Sequence, residues 1–118
     1  GPGEIRRCHV EQVARPMKLY LDDEREAPEG WVRVCWPLEA IELLKTGKVT
    51  DLSLDHDLGD DERGTGYDVV LWIEEAVATR GFVPPQMAVH SANAPARAKM
   101  EAGLRRILDL FKQRDRAD

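Results

Sequence analysis

Residues 52–59 read Leu-Ser-Leu-Asp-His-Asp-Leu-Gly, and this stretch decides how the rest of the chain is interpreted. Its leucines alternate with a serine, which is typical of a β-strand, and the closing glycine ends the run. The strand pattern stops at Asp55, His56 and Asp57. Three ionisable side chains therefore stand at the point where a strand leaves its sheet.

More acids follow in the same loop. Asp60 and Asp61 lie in a polar segment, and we interpret them as solvated or as weak accessory acids. Carboxylates at this density repel one another and lose solvation when covered, so a positive group normally offsets them. A divalent cation that prefers oxygen ligands, Mg²⁺ or Mn²⁺, is the simplest candidate. A solvated acidic turn without an ion is the alternative that this stretch alone leaves open.

Composition limits the class of protein. The chain has 118 residues and a formal net charge of −5 at pH 7, values that fit one soluble domain. The acidic balance argues against broad binding to nucleic-acid backbone, but it does not exclude a phosphate end group held by a metal. No apolar run approaches the ~20 residues of a membrane span, and Cys8 and Cys35 form no paired motif. A reduced, cytoplasmic location without a membrane partner is the expectation.

A regular alternation of strand and helix patterns begins at Met17. Residues 1–16 lack a clean period and are interpreted as an N-terminal extension, in which Gly1-Pro2-Gly3 is a candidate tag remnant. The domain is expected to span residues 17–113, followed by a polar tail over residues 114–118. Strands are predicted over residues 17–21, 31–36, 50–54 and 86–90, and helices over residues 37–46, 67–80 and 97–112.

This element order predicts an α/β fold with a mostly parallel four-stranded sheet that helices cover on both faces. Right-handed crossovers place the carboxyl ends of parallel strands at one edge, where open α/β folds bind ligands. Polar residues follow three of the strands: Asp22 and Asp23 after the first, Asp55, His56 and Asp57 after the third, and His90, Ser91 and Asn93 after the fourth. The sequence therefore predicts one ligand site at that edge.

Four carboxylates are the predicted metal ligands: Asp22, Asp23, Asp55 and Asp57. Asp57 contributes either its carboxylate or its backbone carbonyl, and water completes the octahedral shell of Mg²⁺ or Mn²⁺. Helix caps and exposed loop acids are the alternative reading of the same residues. The convergence of three polar clusters at one edge favours the metal.

Two histidines are the acid or base candidates. His56 lies between two acids that favour its protonated form, so it is predicted to be a general acid, or else a surface histidine beside the site. His90 is predicted to act in catalysis or ligation, with a buried and satisfied core histidine as the alternative. Asp55 is the third catalytic candidate, as a nucleophile or only as a metal ligand.

Four further side chains are predicted to bind phosphate. Ser91 and Asn93 offer a hydroxyl and an amide next to the N-terminus of the last helix, where they also make ordinary helix caps. Arg25 adds a positive contact to phosphate, unless it pairs only with a neighbouring glutamate. Thr65 lies between two glycines in a loop that is predicted to cover the site, although such a segment is also a common turn.

Four motifs in this order resemble a response-regulator receiver domain. They are Leu21-Asp22-Asp23, similar to the acidic pair that holds Mg²⁺; Leu54-Asp55, similar to the strand with the phosphoacceptor aspartate; Gly66, similar to the glycine that opens the next helix; and Ser91-Ala92, similar to the Thr/Ser-Ala pair after the fourth strand. The resemblance covers residues 17–103 and implies a receiver-like, flavodoxin-like three-layer fold. The chain departs from the receiver pattern because no fifth strand with its Lys-Pro pair follows the last helix.

A divergent branch of receivers fits more closely. The set Asp22-Asp23-Glu24-Arg25, Ser53-Leu54-Asp55-His56-Asp57-Leu58-Gly59, Gly64-Thr65-Gly66-Tyr67-Asp68 and His90-Ser91-Ala92-Asn93 resembles the cyclic-phosphate-processing receiver-like family. This resemblance implies a metal-dependent phosphoesterase that processes cyclic or terminal phosphates, with 2′,3′-cyclic phosphate RNA ends as substrates in RNA repair. The alternative is a signalling receiver phosphorylated on Asp55. A metal-free interaction module is the third class, and the oligomeric state is left open.

Overall fold

Four strands alternate with three helices in the computed structural model, which describes residues 15–59 and 61–117. The strands are β1 (Met17–Leu21), β2 (Trp31–Val34), β3 (Val49–Leu54) and β4 (Gln86–Val89). The helices are α1 (Pro37–Leu44), α2 (Gly66–Arg80) and α3 (Ala94–Ala117), and a single 3₁₀ turn spans Asp61–Arg63.

The helix ends follow local sequence signals. Pro37 occupies the first turn of α1, where its missing N–H costs no hydrogen bond, and Glu39 accepts the backbone N–H groups of Cys35 and Trp36 at 3.1 Å. Gly81 ends α2 in the left-handed conformation, with φ of 72°. The last helix is longer than predicted, because its helical backbone continues through most of the predicted polar tail.

All strand pairs are parallel, and the sheet order is β2-β1-β3-β4. The register aligns Leu21 of β1 with Leu54 of β3, and Leu54 with Val89 of β4. The three strands therefore end at the same level. The α/β, receiver-like architecture with a parallel four-stranded sheet is confirmed, and the sheet of the described residues has no fifth strand.

The core lies on one face of this sheet. Leu19, Leu21, Leu52 and Leu54 are almost completely buried, and side chains from all three helices join the same apolar cluster. Strand residues alternate between faces, so the intervening residues point to the other side. Because the leucines face the core, the same alternation determines on which face of the sheet the residue directly after each strand lies.

The opposite face differs from the three-layer expectation. Lys18, Arg33, Gln86 and Ala88, which alternate with the core residues, are exposed. Within the described ranges, helices cover the sheet on the leucine face only, because the segment between β1 and β2 forms a loop instead of a covering helix. The polar face is therefore exposed at these four positions, whereas Tyr20 and Ser53 near the carboxyl edge are half-buried.

Candidate functional site

Three ionisable residues occupy the first position after three neighbouring strands. Asp22 follows β1, Asp55 follows β3 and His90 follows β4. Backbone hydrogen bonds extend the register by one residue, since the Asp55 N–H donates to the Leu21 carbonyl and the His90 N–H donates to the Leu54 carbonyl, at 3.0 and 2.9 Å. The alignment of the strands therefore brings these three side chains together.

Asp22 is the most constrained acid of the site, with only 1% of its surface exposed. Its Oδ1 accepts the backbone N–H groups of Glu24 and Arg25 at 2.8 and 2.9 Å, and its Oδ2 lies 3.1 Å from His90 Nε2. Burial by itself raises the pKa of Asp22, but these hydrogen bonds outweigh the burial and hold the pKa below its ordinary value. Asp22 is therefore a carboxylate at neutral pH.

His90 has a partner at both ring nitrogens. Nδ1 lies 2.7 Å from Ser53 Oγ, and the ring stacks on Tyr20 with a centroid distance of 4.2 Å and an interplanar angle of 2°. The side chain is 16% exposed, and the backbone carbonyl accepts a hydrogen bond from Arg25. Both ring nitrogens of His90 thus have hydrogen-bond partners, and the residue also lies in the candidate site.

The pKa of Asp55 is shifted in the opposite direction from that of Asp22. Burial raises the pKa of Asp55, and the neighbouring Asp22 carboxylate raises it further, against the hydrogen bond that Oδ1 accepts from the His56 N–H at 2.8 Å. No residue of the described ranges donates a hydrogen bond to Oδ2. The site therefore contains two close carboxylates whose negative charges repel each other. A bound cation offsets this repulsion.

The donor set fits one divalent cation. Ligand atoms of Asp22, Asp55 and His90 all lie within 4.8 Å of one another. Among the described residues, these three form the cluster of acids and histidine that could hold a metal ion. Ligands that bind one ion at about 2.0–2.5 Å lie at most about 4–5 Å apart, so the spacing is compatible with a shared ion. The sequence predicted two members as ligands, and it assigned His90 to catalysis or ligation.

A cleft of about 290 Å³ opens beside this trio. Its lining residues are Asp22, Asp23, Glu24, Arg25, Asp55, Asp57, Gly59 and Ala92. The predicted ligands Asp23 and Asp57 therefore border the same space, although neither belongs to the trio. Gly59 leaves room for Asp23, because a Cβ at position 59 would lie 2.7 Å from Asp23 Oδ2.

His56 and Asp57 form a second pair, of which Asp57 lines the cleft and His56 does not. His56 Nδ1 lies 2.8 Å from Asp57 Oδ1, and Asn93 Nδ2 donates to Asp57 Oδ2 at 3.4 Å. The hydrogen bond from His56 lowers the pKa of Asp57, and Asn93 supports this shift. His56 is 21% exposed, and no residue of the described part of the chain bonds its Nε2. The ring of His56 is therefore held in one orientation, and its Nε2 has no partner among the described residues.

Two predicted phosphate-binding residues form the start of α3. Asn93 Oδ1 accepts the Ala96 N–H at 3.2 Å, and the buried Ser91 accepts the Asn93 N–H on its hydroxyl at 3.1 Å. Asn93 is thus the helix cap, and Ser91 closes the turn immediately before it. Asn93 also reaches Asp57, so its amide group lies next to the cleft.

The other two predicted phosphate ligands lie in different places. Arg25 lines the cleft, with its guanidinium on the His90 carbonyl at 3.2 Å. Thr65 caps α2, where its hydroxyl accepts the Tyr67 N–H at 3.2 Å and its own N–H donates to Asp68 at 2.9 Å. Thr65 is not among the residues that line the cleft. Asp60 and most of the predicted N-terminal extension, residues 1–14, lie outside the described residues.

Sequence reasoning missed Ser53 and Tyr20, which contact His90. The signal was present in the strand alternation, because each residue lies two positions before one of the site acids and so shares its face of the sheet. Small and aromatic strand residues are common, however, and only the register shows that they meet under one imidazole.

Comparison with known proteins identifies the family of this chain. No curated protein and no solved structure matches the chain. None of the helices in the described ranges is both long and apolar enough to cross a bilayer. Residues 17–106 match the family model described as the cyclic-phosphate processing receiver domain, a match that includes every site residue discussed above. The chain therefore belongs to the cyclic-phosphate processing receiver domain family.

Proposed function

We propose that this domain is a divalent-cation-dependent phosphoesterase that acts on cyclic or terminal phosphates. The observation that carries the proposal is the meeting of Asp22, Asp55 and His90 within 4.8 Å, with His56 next to Asp55 in the chain and its ring held by Asp57. The family description adds the chemical class, a cyclic phosphate. RNA ends with a 2′,3′-cyclic phosphate are the proposed substrates.

Asp22 and Asp55 would hold Mg²⁺ or Mn²⁺, with Asp23 and Asp57 bordering the remaining space. When bound, such an ion neutralises phosphate charge and polarises a phosphoryl oxygen. Oδ1 of each carboxylate accepts backbone N–H groups; Oδ2 of Asp55 is left for the cleft, and Oδ2 of Asp22 lies 3.1 Å from His90 Nε2. The chain itself therefore orients the acids before any ligand arrives.

His56 is the residue proposed to transfer the proton. Water attacks phosphorus as the ring P–O bond breaks, and the leaving oxygen takes a proton from the imidazolium form of His56, a common proton donor near neutral pH. In that form Asp57 accepts the Nδ1–H and so directs the ring, and Nε2–H is the group that donates the proton. The Arg25 guanidinium, the Asn93 amide and the N-terminus of α3 supply donors for the phosphate oxygens.

Replacing His56 with alanine is expected to lower kcat for hydrolysis of 2′,3′-cyclic nucleotides about 10²–10³-fold, the usual range for loss of a general acid. Affinity for Mn²⁺ is expected to stay near that of the wild-type protein, because His56 is not in the trio. Steady-state kinetics with Mn²⁺ and calorimetric titration of Mn²⁺ measure the two effects.

His90→Ala is the matched comparison. It is expected to weaken Mn²⁺ binding, since His90 lies within 3.1 Å of Asp22. Equal kcat for the wild-type and His56→Ala proteins would remove His56 from the mechanism. A wild-type protein that turns over no cyclic nucleotide with Mg²⁺ or Mn²⁺ would contradict the proposed activity.

A signalling receiver is the second candidate. It is favoured by the position of Asp55 at the end of a central strand, with Oδ2 free of hydrogen bonds from the described residues. Incubation with acetyl phosphate and Mg²⁺ distinguishes the two functions. A stable mass increase of one phosphoryl group that Asp55→Asn abolishes would support the receiver, and absence of any thermal shift with Mg²⁺ or Mn²⁺ would support a metal-free interaction module.

A further inference from the structure

A second row of side chains lies directly beneath the site, on the polar face of the sheet. Tyr20 and Ser53 are register partners on β1 and β3, and each lies two residues before a site acid. Residues two apart on a strand share a face, so Tyr20 lies below Asp22 and Ser53 lies below Asp55.

The His90 side chain extends over this row. Its strand, β4, is separated from β1 by β3, a distance of about 10 Å at normal strand spacing. The imidazole nevertheless stacks on the Tyr20 ring at 4.2 Å and touches Ser53 Oγ at 2.7 Å on the way. A small residue at position 53 leaves space for the ring to cross the central strand.

The contacts determine which ring nitrogen carries the proton. The Asp22 carboxylate can only accept, so Nε2, at 3.1 Å from Oδ2, is the nitrogen that donates. In the neutral imidazole Nδ1 then accepts from the Ser53 hydroxyl. The two hydrogen bonds are mutually consistent, and together they select one tautomer and one orientation of His90.

We propose that Ser53 and Tyr20 are positioning residues of the metal site. They hold His90 so that its Nε2–H fixes the Asp22 carboxylate in the orientation that binds the divalent cation. Ser53, His90 and Asp22 thus form one hydrogen-bonded chain, and Tyr20 supports the imidazole from below. This inference rests on the metal site of the proposed function, and it assigns His90 to Asp22, because both ring nitrogens are already hydrogen-bonded and neither is left for the ion or the leaving group.

The state of Asp22 shows why such support is needed. Its carboxylate is buried, and Oδ1 is already occupied by two backbone N–H groups. Among the described residues, the hydrogen-bond partner of Oδ2 is His90, at 3.1 Å, and this contact adds to the two on Oδ1 in holding the carboxylate. Hydrogen-bond partners behind a metal ligand commonly change metal affinity 10–100-fold when they are removed.

Ser53→Ala tests the proposal because it keeps the small size of the side chain and removes only the hydroxyl. We expect Mn²⁺ affinity to fall about tenfold, at the lower end of the range for partners behind a metal ligand. In the metal-free protein, the ¹⁵N chemical shift of His90 Nδ1 is expected to change because this nitrogen loses its hydrogen bond, and that of Nε2 changes as the ring moves relative to Asp22. Thr50→Ala removes a hydroxyl from the amino end of the same strand and is expected to change neither quantity.

Each outcome supports or contradicts the proposal separately from the function. Wild-type affinity for Mn²⁺ in a folded Ser53→Ala protein, or unchanged His90 shifts, would overturn the positioning role. A wild-type protein that binds no Mn²⁺ would contradict the metal site itself, and the role of Ser53 in metal binding with it. Thermal denaturation confirms that both variants are folded before the two measurements are compared.

Discussion

Asp55→Asn is expected to lower cation-dependent hydrolysis by at least about a hundredfold and, in the absence of metal, to make the domain more stable. The first effect follows because Asp55 supplies one of the two carboxylates in the trio. The second follows because asparagine removes a negative charge that is partly buried next to Asp22. Loss of activity together with a gain in stability is typical of a residue retained for function.

The pH dependence follows from the raised pKa of Asp55. In the folded domain the carboxyl group titrates above its ordinary value of 3.8, so folding disfavours the charged form. Wild-type stability therefore carries no penalty below that ordinary value, and the penalty grows as the pH rises through the raised value. The stabilisation from Asp55→Asn is expected at neutral pH and disappears towards pH 3.

Thermal denaturation with and without Mn²⁺ measures this effect. Without metal and at neutral pH, the midpoint of Asp55→Asn is expected to be higher than that of the wild-type protein, because the raised pKa of Asp55 reflects a cost of its charged form in the fold. At a Mn²⁺ concentration of about 100 times the Kd, the wild-type protein gains roughly 2.7 kcal/mol, so the order of the two midpoints reverses.

Asp51→Asn is the matched control, because Asp51 lies on the same strand and is also half-buried, but at the end remote from the site. It is expected to leave both the activity and the Mn²⁺ response unchanged. A lower midpoint for Asp55→Asn in metal-free buffer at neutral pH would mean that repulsion from Asp22 is not a significant cost of the fold.

The meeting of Asp22, Asp55 and His90 at one edge could be predicted because strand ends are local features. Asp22, Asp55 and His90 each follow an alternating apolar run, and parallel strands bring such positions to one edge. The roles of the residues within the site depend on the strand register and on how far each side chain extends. Only the structure shows that the imidazole of His90 crosses β3 to stack on Tyr20, or that Asp57 engages His56.

The missing third layer has a similar explanation. Alternation of helices and strands predicts that both sheet faces are covered, since parallel sheets are normally buried on both sides. The burial pattern of β1 shows one buried face and one partly exposed face, with Lys18 exposed and Tyr20 half-buried. Sequence periodicity detects the buried face, but it does not show which face each helix covers.

Gly66→Ala is expected to have the largest effect on stability of any single substitution considered. A Cβ at this position would lie 1.8 Å from the backbone oxygen of Asp55 and 3.0 Å from Met100 Cε. Backbone cannot move aside as a side-chain end can, so we expect a loss of more than about 3 kcal/mol in the free energy of unfolding. Urea denaturation of the wild-type and variant proteins measures the difference.

Gly30→Ala is the control that separates this contact from the general cost of replacing glycine. Gly30 has a φ of +88°, and a Cβ there would meet no atom within 4 Å, so only backbone strain of about 1–2 kcal/mol is expected. Equal losses for the two variants would mean that α2 shifts freely away from Asp55.

A shift of that kind would also reach the site, which makes the prediction informative even if the variant folds. The Gly66 N–H donates to the His56 carbonyl at 3.1 Å, so the start of α2 is attached to the residue that follows Asp55. Moving the Asp55 backbone to admit a methyl group displaces its carboxylate from the Asp22 side of the trio. A folded Gly66→Ala protein is therefore expected to bind Mn²⁺ at least about tenfold more weakly, whereas Gly30→Ala keeps wild-type affinity. Glycine at the start of α2 thus allows the helix to approach closely enough to fix the position of the central acid.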